Sequence, residues 1–304
     1  MNQLGKIRIG IAGTGRLAQA LGRLLHQRGN PITAIAGRDL RRTSEAAAFI
    51  GMGVQKSAVQ SVSLPDLPDA ASHVIVAVPD DALPSVARTL AGSTSPIRVA
   101  LHTCGSRGPE ALAELEQRGA SCGTLHPLQT ISTREQGAAD LPGSYFGITA
   151  SGEALEWAIE ICRLLEGHPL VIPSERRPLY HAAAVMASNY IVAMIDAAAI
   201  LMEQAGVASD QALPALAPLI EASVRNSLTA GPVRALTGPI ERGDEQTIAA
   251  HLRALGDAPE SVRHLYRSAG LHASHIARRK SPGVDRGEIE SLLREQWRES
   301  EGEV

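Results

Sequence analysis

The chain changes its hydrophobic rhythm once, a little past its middle. In the first half, short β-branched runs at Ile7–Ala12, Ile32–Ala36, His73–Val78 and Ile97–Leu101 alternate with stretches at helical period, Arg16–Gln27, Ser44–Ile50, Leu83–Leu90 and Glu110–Arg118. The runs at Ile7 and His73 are mostly apolar, as strands covered on both faces must be. Strand, helix and strand in this order predict a parallel sheet flanked by helices. Further strands are expected at Gly123–Leu125, Tyr145–Thr149 and Leu170–Ile172, with a helix at Glu153–Glu166. The polar stretch Pro173–Pro178 reads as a joint. Beyond it only long helical patterns remain, at Leu179–Ala205, Gln211–Leu228, Glu245–Leu255, Ser261–Arg279 and Arg286–Glu299. The expected organisation is an α/β domain over residues 1–173 and an all-α domain over 174–304.

Composition narrows the class. A length of 304 residues lets each domain bury its own core. Aromatic residues are only 3% of the chain, so that core must be built from Ala, Leu, Ile and Val. A net charge of −3 gives no electrostatic reason for a nucleic-acid or anionic-membrane partner. Cys104, Cys122 and Cys162 are scattered and odd in number, which fits a reducing compartment rather than a disulfide framework. The opening MNQLGKIRIG has no apolar run long enough for a leader, and a cytoplasmic protein is expected. The stretch from Ala182 to Met202 is strongly apolar but carries Ser188, Asn189 and Asp196. It reads as a helix buried in its own domain or across a dimer interface, not as a membrane span.

Candidate chemistry begins at the first turn. Gly13-Thr14-Gly15-Arg16-Leu17-Ala18 follows a strand and opens a helix, the context in which G-x-G-x-x-A binds a dinucleotide. Gly13 permits the tight turn, Gly15 lets the backbone approach a pyrophosphate, and Ala18 lets helix and strand pack closely. The helix N-terminus offers free N–H groups and a positive dipole end. A Rossmann domain is therefore expected. The next strand ends in Ala36-Gly37-Arg38-Asp39, with Arg41 and Arg42 just after. A guanidinium at Arg38 suits a 2′-phosphate and so NADP(H). Asp39 is the competing choice, a ribose acid suited to NAD. Val78 and Pro79 end another strand and are expected near the ribose or nicotinamide.

Polar groups for the reaction lie at strand ends and on the first long helix. His102 follows one strand, His126 with Gln129 and Thr130 follows the next, and His181, Ser188 and Asn189 lie on the helix. Histidine suits proton transfer beside a nicotinamide, and Ser or Asn can orient the group being reduced. His102 serves equally well as a cofactor neighbour or as a packing histidine. On a continuous helix, His181 and Ser188 differ by about 20°, and Asn189, Asp196 and Glu203 lie within about 80° of His181, a single polar stripe. Gln129 and Thr130 are candidate substrate contacts. His251, His272 and His275 have no acidic or cysteine partners at metal spacing, and no metal site is expected.

Taken together, the glycine turn, Leu125-His126-Pro127-Leu128-Gln129-Thr130, Tyr145-Phe146-Gly147-Ile148, His181–Tyr190 and Leu236–Asp244 resemble the 6-phosphogluconate dehydrogenase-like superfamily. That group includes ketopantoate reductase, pyrroline-5-carboxylate reductase, prephenate dehydrogenase and the β-hydroxyacid dehydrogenases. More closely, they resemble a bacterial family of Rossmann-like proteins with a helical C-terminal domain, described as NADP oxidoreductases. The resemblance implies an NADP-binding domain, a helical dimerisation domain and an active site between them. It does not carry over the catalytic Lys and Asn of the β-hydroxyacid dehydrogenases: His181 stands near the Lys place and Val185 at the Asn place. His126-Pro127 is similar to the His-Pro of prephenate dehydrogenases. The expected function is NADP-dependent hydride transfer to or from a small polar carbonyl, imine or hydroxy acid at the domain cleft, with His126 or His181 as acid/base. The competing expectation is a non-catalytic NADP(H)-binding sensor or scaffold.

Overall fold

A computed structural model describes residues 7–54 and 58–300, the side chains of 296–300 excepted. Residues 1–6, on which the expected lack of a leader was argued, lie outside the described residues. The chain divides into two compact units, Met1–Ser188 and Asn189–Val304.

The first unit opens with β1 (Ile9–Ala12), α1 (Arg16–Gln27), β2 (Ile32–Ala36) and α2 (Leu40–Gly51). It continues through β3 (Gln60–Val62), α3 (Leu67–Ala70), β4 (His73–Val76) and α4 (Leu83–Ala91). Next come β5 (Val99–His102), a tight helical turn at Pro109–Leu112, α5 (Ala113–Glu116) and β6 (Ser121–Thr124). These strands form one parallel sheet in the order β3-β2-β1-β4-β5-β6. The expected parallel α/β domain is present. The central strands β1 and β4 are fully buried, and two clusters of Ile, Leu, Val and Ala cover the two faces.

Several elements depart from the expectation. The sheet gains β3, whose Gln-Ser-Val has no apolar run to betray it because two of its three residues are exposed at the edge. The later strands do not extend the sheet. β7 (His126–Pro127), β8 (Tyr145–Ile148) and β9 (His168–Val171) form a separate small sheet, with β7 antiparallel and β9 parallel to β8. Between them lie α6 (Arg134–Asp140), capped by Thr133, and α7 (Gly152–Leu164). The run from Cys122 to Pro127 therefore belongs to two sheets. It leaves the large one after Thr124 and enters the small one at His126.

The helix expected over 179–205 is broken. α8 (Arg177–Ala187) ends at Ser188, whose backbone leaves the helical region at φ −126, ψ −77. α9 (Asn189–Gln204) starts afresh. The single polar stripe expected from His181 to Glu203 is thus not carried by one continuous helix.

The second unit is all helical. After α9 it contains α10 (Ser209–Ala230), α11 (Pro232–Ala235), α12 (Pro239–Arg242), α13 (Glu245–Ala254), α14 (Glu260–Lys280) and α15 (Gly287–Ser300). Asp244 caps α13, its carboxylate accepting the Thr247 N–H at 3.0 Å. The buried Arg286 guanidinium donates to the carbonyls of Ile240, Glu241, Ser281 and Val284, pinning the loop around α12.

Candidate active site

The sheet order reverses at β1 and β4, and in such sheets the crevice beyond the carboxyl ends of these strands takes the ligand. A cavity of about 780 Å³ occupies that position, lined by the turns after β1, β2 and β4. Gly13 sits at φ +117, and a Cβ there would overlap the Ala77 carbonyl. The Gly13 N–H reaches back to the Ala36 carbonyl at 2.8 Å, which locks the turn. Gly15 is the N-cap of α1 and supplies no side-chain cap, and a Cβ added there would meet nothing within 4 Å. The bare backbone and uncapped N–H groups at one wall of the cavity fit a dinucleotide pyrophosphate. Thr14, Gly15 and Arg16 line the cavity, whereas Leu17 packs on the core and Ala18 is buried against the sheet.

The choice between the basic residues and Asp39 is visible in the backbone. Asp39 is the N-cap of α2, accepting the N–H groups of Arg41 and Arg42 at 2.9 and 3.1 Å. Those bonds hold its carboxyl below the ordinary range. It does not line the cavity. Arg38 and Arg42 do, while Arg41 pairs with Glu45 at 3.6 Å. Val78 and Pro79 line the cavity as well. Sequence reasoning passed over Arg134, the first residue of α6, which lines the cavity and donates to Gln19 Oε1 at 2.9 Å. Its helix had no strong apolar period to announce it.

His126 and His181 come together, with ring centroids 5.9 Å apart. Gly105, after β5, is wedged against both: a Cβ there would overlap His181 and lie 2.8 Å from His126 Nε2. Next to it, Ser106 donates to Asp80 Oδ2 at 3.3 Å, and Asp80 directly follows the cavity wall at Pro79. The other face of His126 meets Tyr180, whose phenol oxygen lies 2.8 Å from Nδ1. Burial, and then the positive charge of Arg177, push His126 down to about 4, so it is neutral near pH 7. Burial pushes the Tyr180 phenol up to about 12.

Arg177 anchors this corner. It is fully buried at the start of α8 and donates to Thr124 Oγ1, Thr149 Oγ1 and the Cys104 carbonyl at 2.8, 3.1 and 2.8 Å. Those groups sit at the ends of β6, β8 and β5, so one guanidinium ties α8 to both sheets. The sequence marks Tyr180 beside His181 as part of a polar site at the helix start but gives no sign of Arg177, because an Arg in a polar, proline-flanked joint reads as a surface residue.

The remaining candidates lie elsewhere. His102 is fully buried, with Nδ1 accepting the Cys104 N–H at 3.2 Å and Nε2 2.8 Å from the Gly108 carbonyl. Both ring nitrogens are engaged by backbone, and the ring does not line the cavity. Gln129 bonds the Asp140 carbonyl and the Thr130 N–H, and both Gln129 and Thr130 are exposed and do not line the cavity. Ser188 closes α8, half-buried, and Asn189 is exposed at the start of α9. Among the described residues, no group of three or more His, Cys, Asp or Glu side chains is arranged to hold a metal.

Comparison with known proteins agrees with this architecture. Residues 2–127 match the model of a Rossmann-like domain, and residues 144–273 match a domain of unknown function, DUF2520. A provisionally named NADP oxidoreductase of Bacteroides fragilis, BF3122, is 26% identical, covering 90% of this chain and all of its own at a TM-score of 0.71. Protein TM1727 of Thermotoga maritima is 22% identical over 90% of this chain and 99% of its own, at a TM-score of 0.69. A reductive aminase of Aspergillus terreus, solved with NADPH and ethyl levulinate, shares the fold at 18% identity and a TM-score of 0.62, over 94% of this chain and 98% of its own. No curated protein matches the sequence. The chain thus joins a Rossmann-like domain to a DUF2520 domain.

Proposed function

We propose that the protein is an NADP(H)-dependent oxidoreductase acting on a small polar carbonyl, imine or hydroxy acid. One observation carries the cofactor choice. Asp39 is committed to capping α2, while Arg38 and Arg42 face the cavity that holds the glycine turn. A 2′-phosphate would take bidentate hydrogen bonds from such a pair, and a plain ribose would leave two guanidinium groups without a partner. The names of BF3122 and of the NADPH-bound aminase support the same cofactor. When bound, NADP(H) supplies or accepts a hydride at its nicotinamide. The chain itself must hold the second substrate and manage one proton. Gly13 to Arg16 hold the phosphates, and Val78 and Pro79 lie along the wall toward the histidines. His126, neutral and half-buried, orients the polar atom at the reacting carbon. His181, beside it, is the group assigned to proton transfer.

The helical unit supports a homodimer. The segment Ser174–Gln204 is long and apolar enough to cross a membrane by length and composition, and α9 buries none of its residues. Met186, Tyr190, Val192 and Met194 stand exposed along it. The break at Ser188 and the carboxylate of Asp196 disfavour a lipid surround. A second copy of the chain is the occupant that these exposed apolar side chains fit.

Titration with NADPH and NADH, followed by NADPH oxidation against 2-oxo acids, cyclic imines and ketone–amine mixtures, tests the reading. Preferred NADPH binding and turnover of one class support it. Equal affinity for both cofactors overturns the arginine assignment. Tight NADPH binding without turnover on any class, unchanged by His126→Ala or His181→Ala, would establish the sensor alternative instead.

A further inference from the structure

We infer that Gln19 and Arg134 are positioning residues of the cofactor site: together they hold the Thr14–Gly15 peptide of the glycine turn with its carbonyl turned aside and its N–H presented to the cofactor's pyrophosphate. The inference deepens, and rests on, the reading of the cavity as a dinucleotide site.

Gln19 stands in the first turn of α1 and lines the cavity. Its Nε2–H donates to the Thr14 carbonyl at 2.9 Å, and its Oε1 accepts from Arg134 Nη1 at 2.9 Å. The chemistry of the two neighbours allows only this direction. A guanidinium carries donors and no acceptor, and a backbone carbonyl accepts and cannot donate. The Gln19 amide therefore serves both only with its oxygen toward Arg134 and its nitrogen toward Thr14. A trans peptide is planar, and its C=O and N–H point opposite ways. Turning the Thr14 carbonyl toward Gln19 thus fixes the direction of the Gly15 N–H as well. Among the described residues that N–H has no hydrogen-bond partner, and the Thr14 carbonyl has Gln19 alone. If this peptide flipped, an oxygen would stand where the N–H meets a phosphate, and like partial charges would face each other.

Arg134 is itself held in place. Its guanidinium lies over the ring of buried Phe49, 4.4 Å from the centroid, and its Nε donates to Glu135 Oε1 at 2.8 Å. The stack uses the face of the guanidinium and leaves its edge for Gln19. The same segment is tied to the start of α1 a second time: Arg16 Nη1 donates to the Ser132 carbonyl at 2.7 Å. Residues 132–134 therefore brace the glycine turn from outside its strand–turn–helix unit, Arg134 lying 115 positions beyond Gln19 in the chain. The brace acts on the pyrophosphate, which NADPH and NADH share. Arg38 is assigned to the 2′-phosphate, which only NADPH carries.

Two measurements on the full chain test this. The first needs no cofactor. The HNCO cross-peak that joins the Gly15 N–H to the Thr14 carbonyl carbon reports the hydrogen bond on that carbonyl. Gln19→Met is expected to shift the carbon upfield, and Arg134→Met to shift it the same way by less. An unmoved carbon in both variants overturns the inference. The second is titration with NADPH, NADH and 2′-AMP, which carries the adenosine 2′-phosphate and no pyrophosphate. Gln19→Met is expected to weaken NADPH and NADH alike, by about fivefold to tenfold, the scale of one hydrogen bond, and to leave 2′-AMP binding unchanged. Arg134→Met is expected to weaken both dinucleotides by a smaller factor, and Arg134→Lys, which keeps a donor, to restore most of it. In the Gln19→Met background, Arg134→Met is expected to cost nothing further, because Arg134 acts through Gln19. A further loss there shows Arg134 on the cofactor itself and overturns its positioning role. Weakened 2′-AMP binding overturns an effect confined to the pyrophosphate. If the carbon shifts as expected but the wild-type protein binds neither dinucleotide, the cofactor reading fails and the brace on the turn stands.

Discussion

Arg38 and Asp39 are adjacent in the chain and have opposite fates, decided by the first turn of α2. The carboxylate folds back onto the Arg41 and Arg42 amides, and Arg38 is left facing the cavity. Arg38→Ala is expected to weaken NADPH binding by about 10- to 100-fold, the scale of one or two charge-assisted hydrogen bonds, while NADH affinity stays level. Direct titration of both cofactors checks it. Histidines give a second prediction at this scale. His73, His102 and His126 are each pushed down to about 4, in every case chiefly by burial. Their unfolded values lie near 6.5, so the unfolded chain binds protons first as pH falls. Stability is therefore full above about pH 6.5, falls toward pH 4 and levels off below it. Thermal unfolding across that range measures the effect, and His73→Phe is expected to remove part of the slope. Much of this was legible in the sequence for the glycine turn and for Arg38, because both depend on neighbours in the chain. The roles of Tyr180 and Gly105 were not, because each depends on a residue more than twenty positions away in another element.

Among the elements, the start of α8 matters most. Among the described residues, Arg177 forms no salt bridge with a carboxylate. Its Nη1 and Nη2 donate to two threonine hydroxyls and a carbonyl, while Nε is buried without a hydrogen bond. Arg177→Ala is expected to lose about 2–4 kcal/mol of stability, since it leaves those groups buried and opens a cavity. Chemical denaturation checks this, and Arg177→Met should recover packing but not the tie between helix and sheets. Periodicity located α1, α4, α7, α10 and α14 well, because each buries one continuous face or runs long. It missed α6 and β3, which are short, and it ran through the break at Ser188. A helical pattern on both sides of a Ser-Asn pair carries no mark of where the backbone turns. The small sheet was missed for a related reason: β7 is two residues long, and no apolar run announces its pairing with β8.

For the whole molecule, the two halves of the chain bury very different amounts of what they contain. The α/β unit closes two extensive cores, whereas α9 and α10 leave Val192, Leu219 and Leu228 in the open. A homodimer is expected, and Val192→Glu with Leu219→Glu should shift sedimentation from dimer to monomer while leaving the α/β unit folded. A wild-type monomer at micromolar concentration would reject it. The division into a sheet-bearing half and a helical half could be read from the loss of strand signals alone. How the apolar helices are covered could not, since periodicity reports which face avoids water and not what covers it.

The cap on α2 also bears on redesign. Converting such a site to NADH is commonly imagined as removing a basic residue and letting a nearby acid take over the ribose. Here the nearby acid is structural. Releasing Asp39 would leave the Arg41 and Arg42 amides of the first turn of α2 without their cap. It would also move the residue that aims Arg42 at the cavity. Position 37 offers no alternative, because a Cβ there would press on Thr14 and Thr43. A switch of cofactor has to be written at position 38 itself, with an acid in place of the arginine and Asp39 left alone.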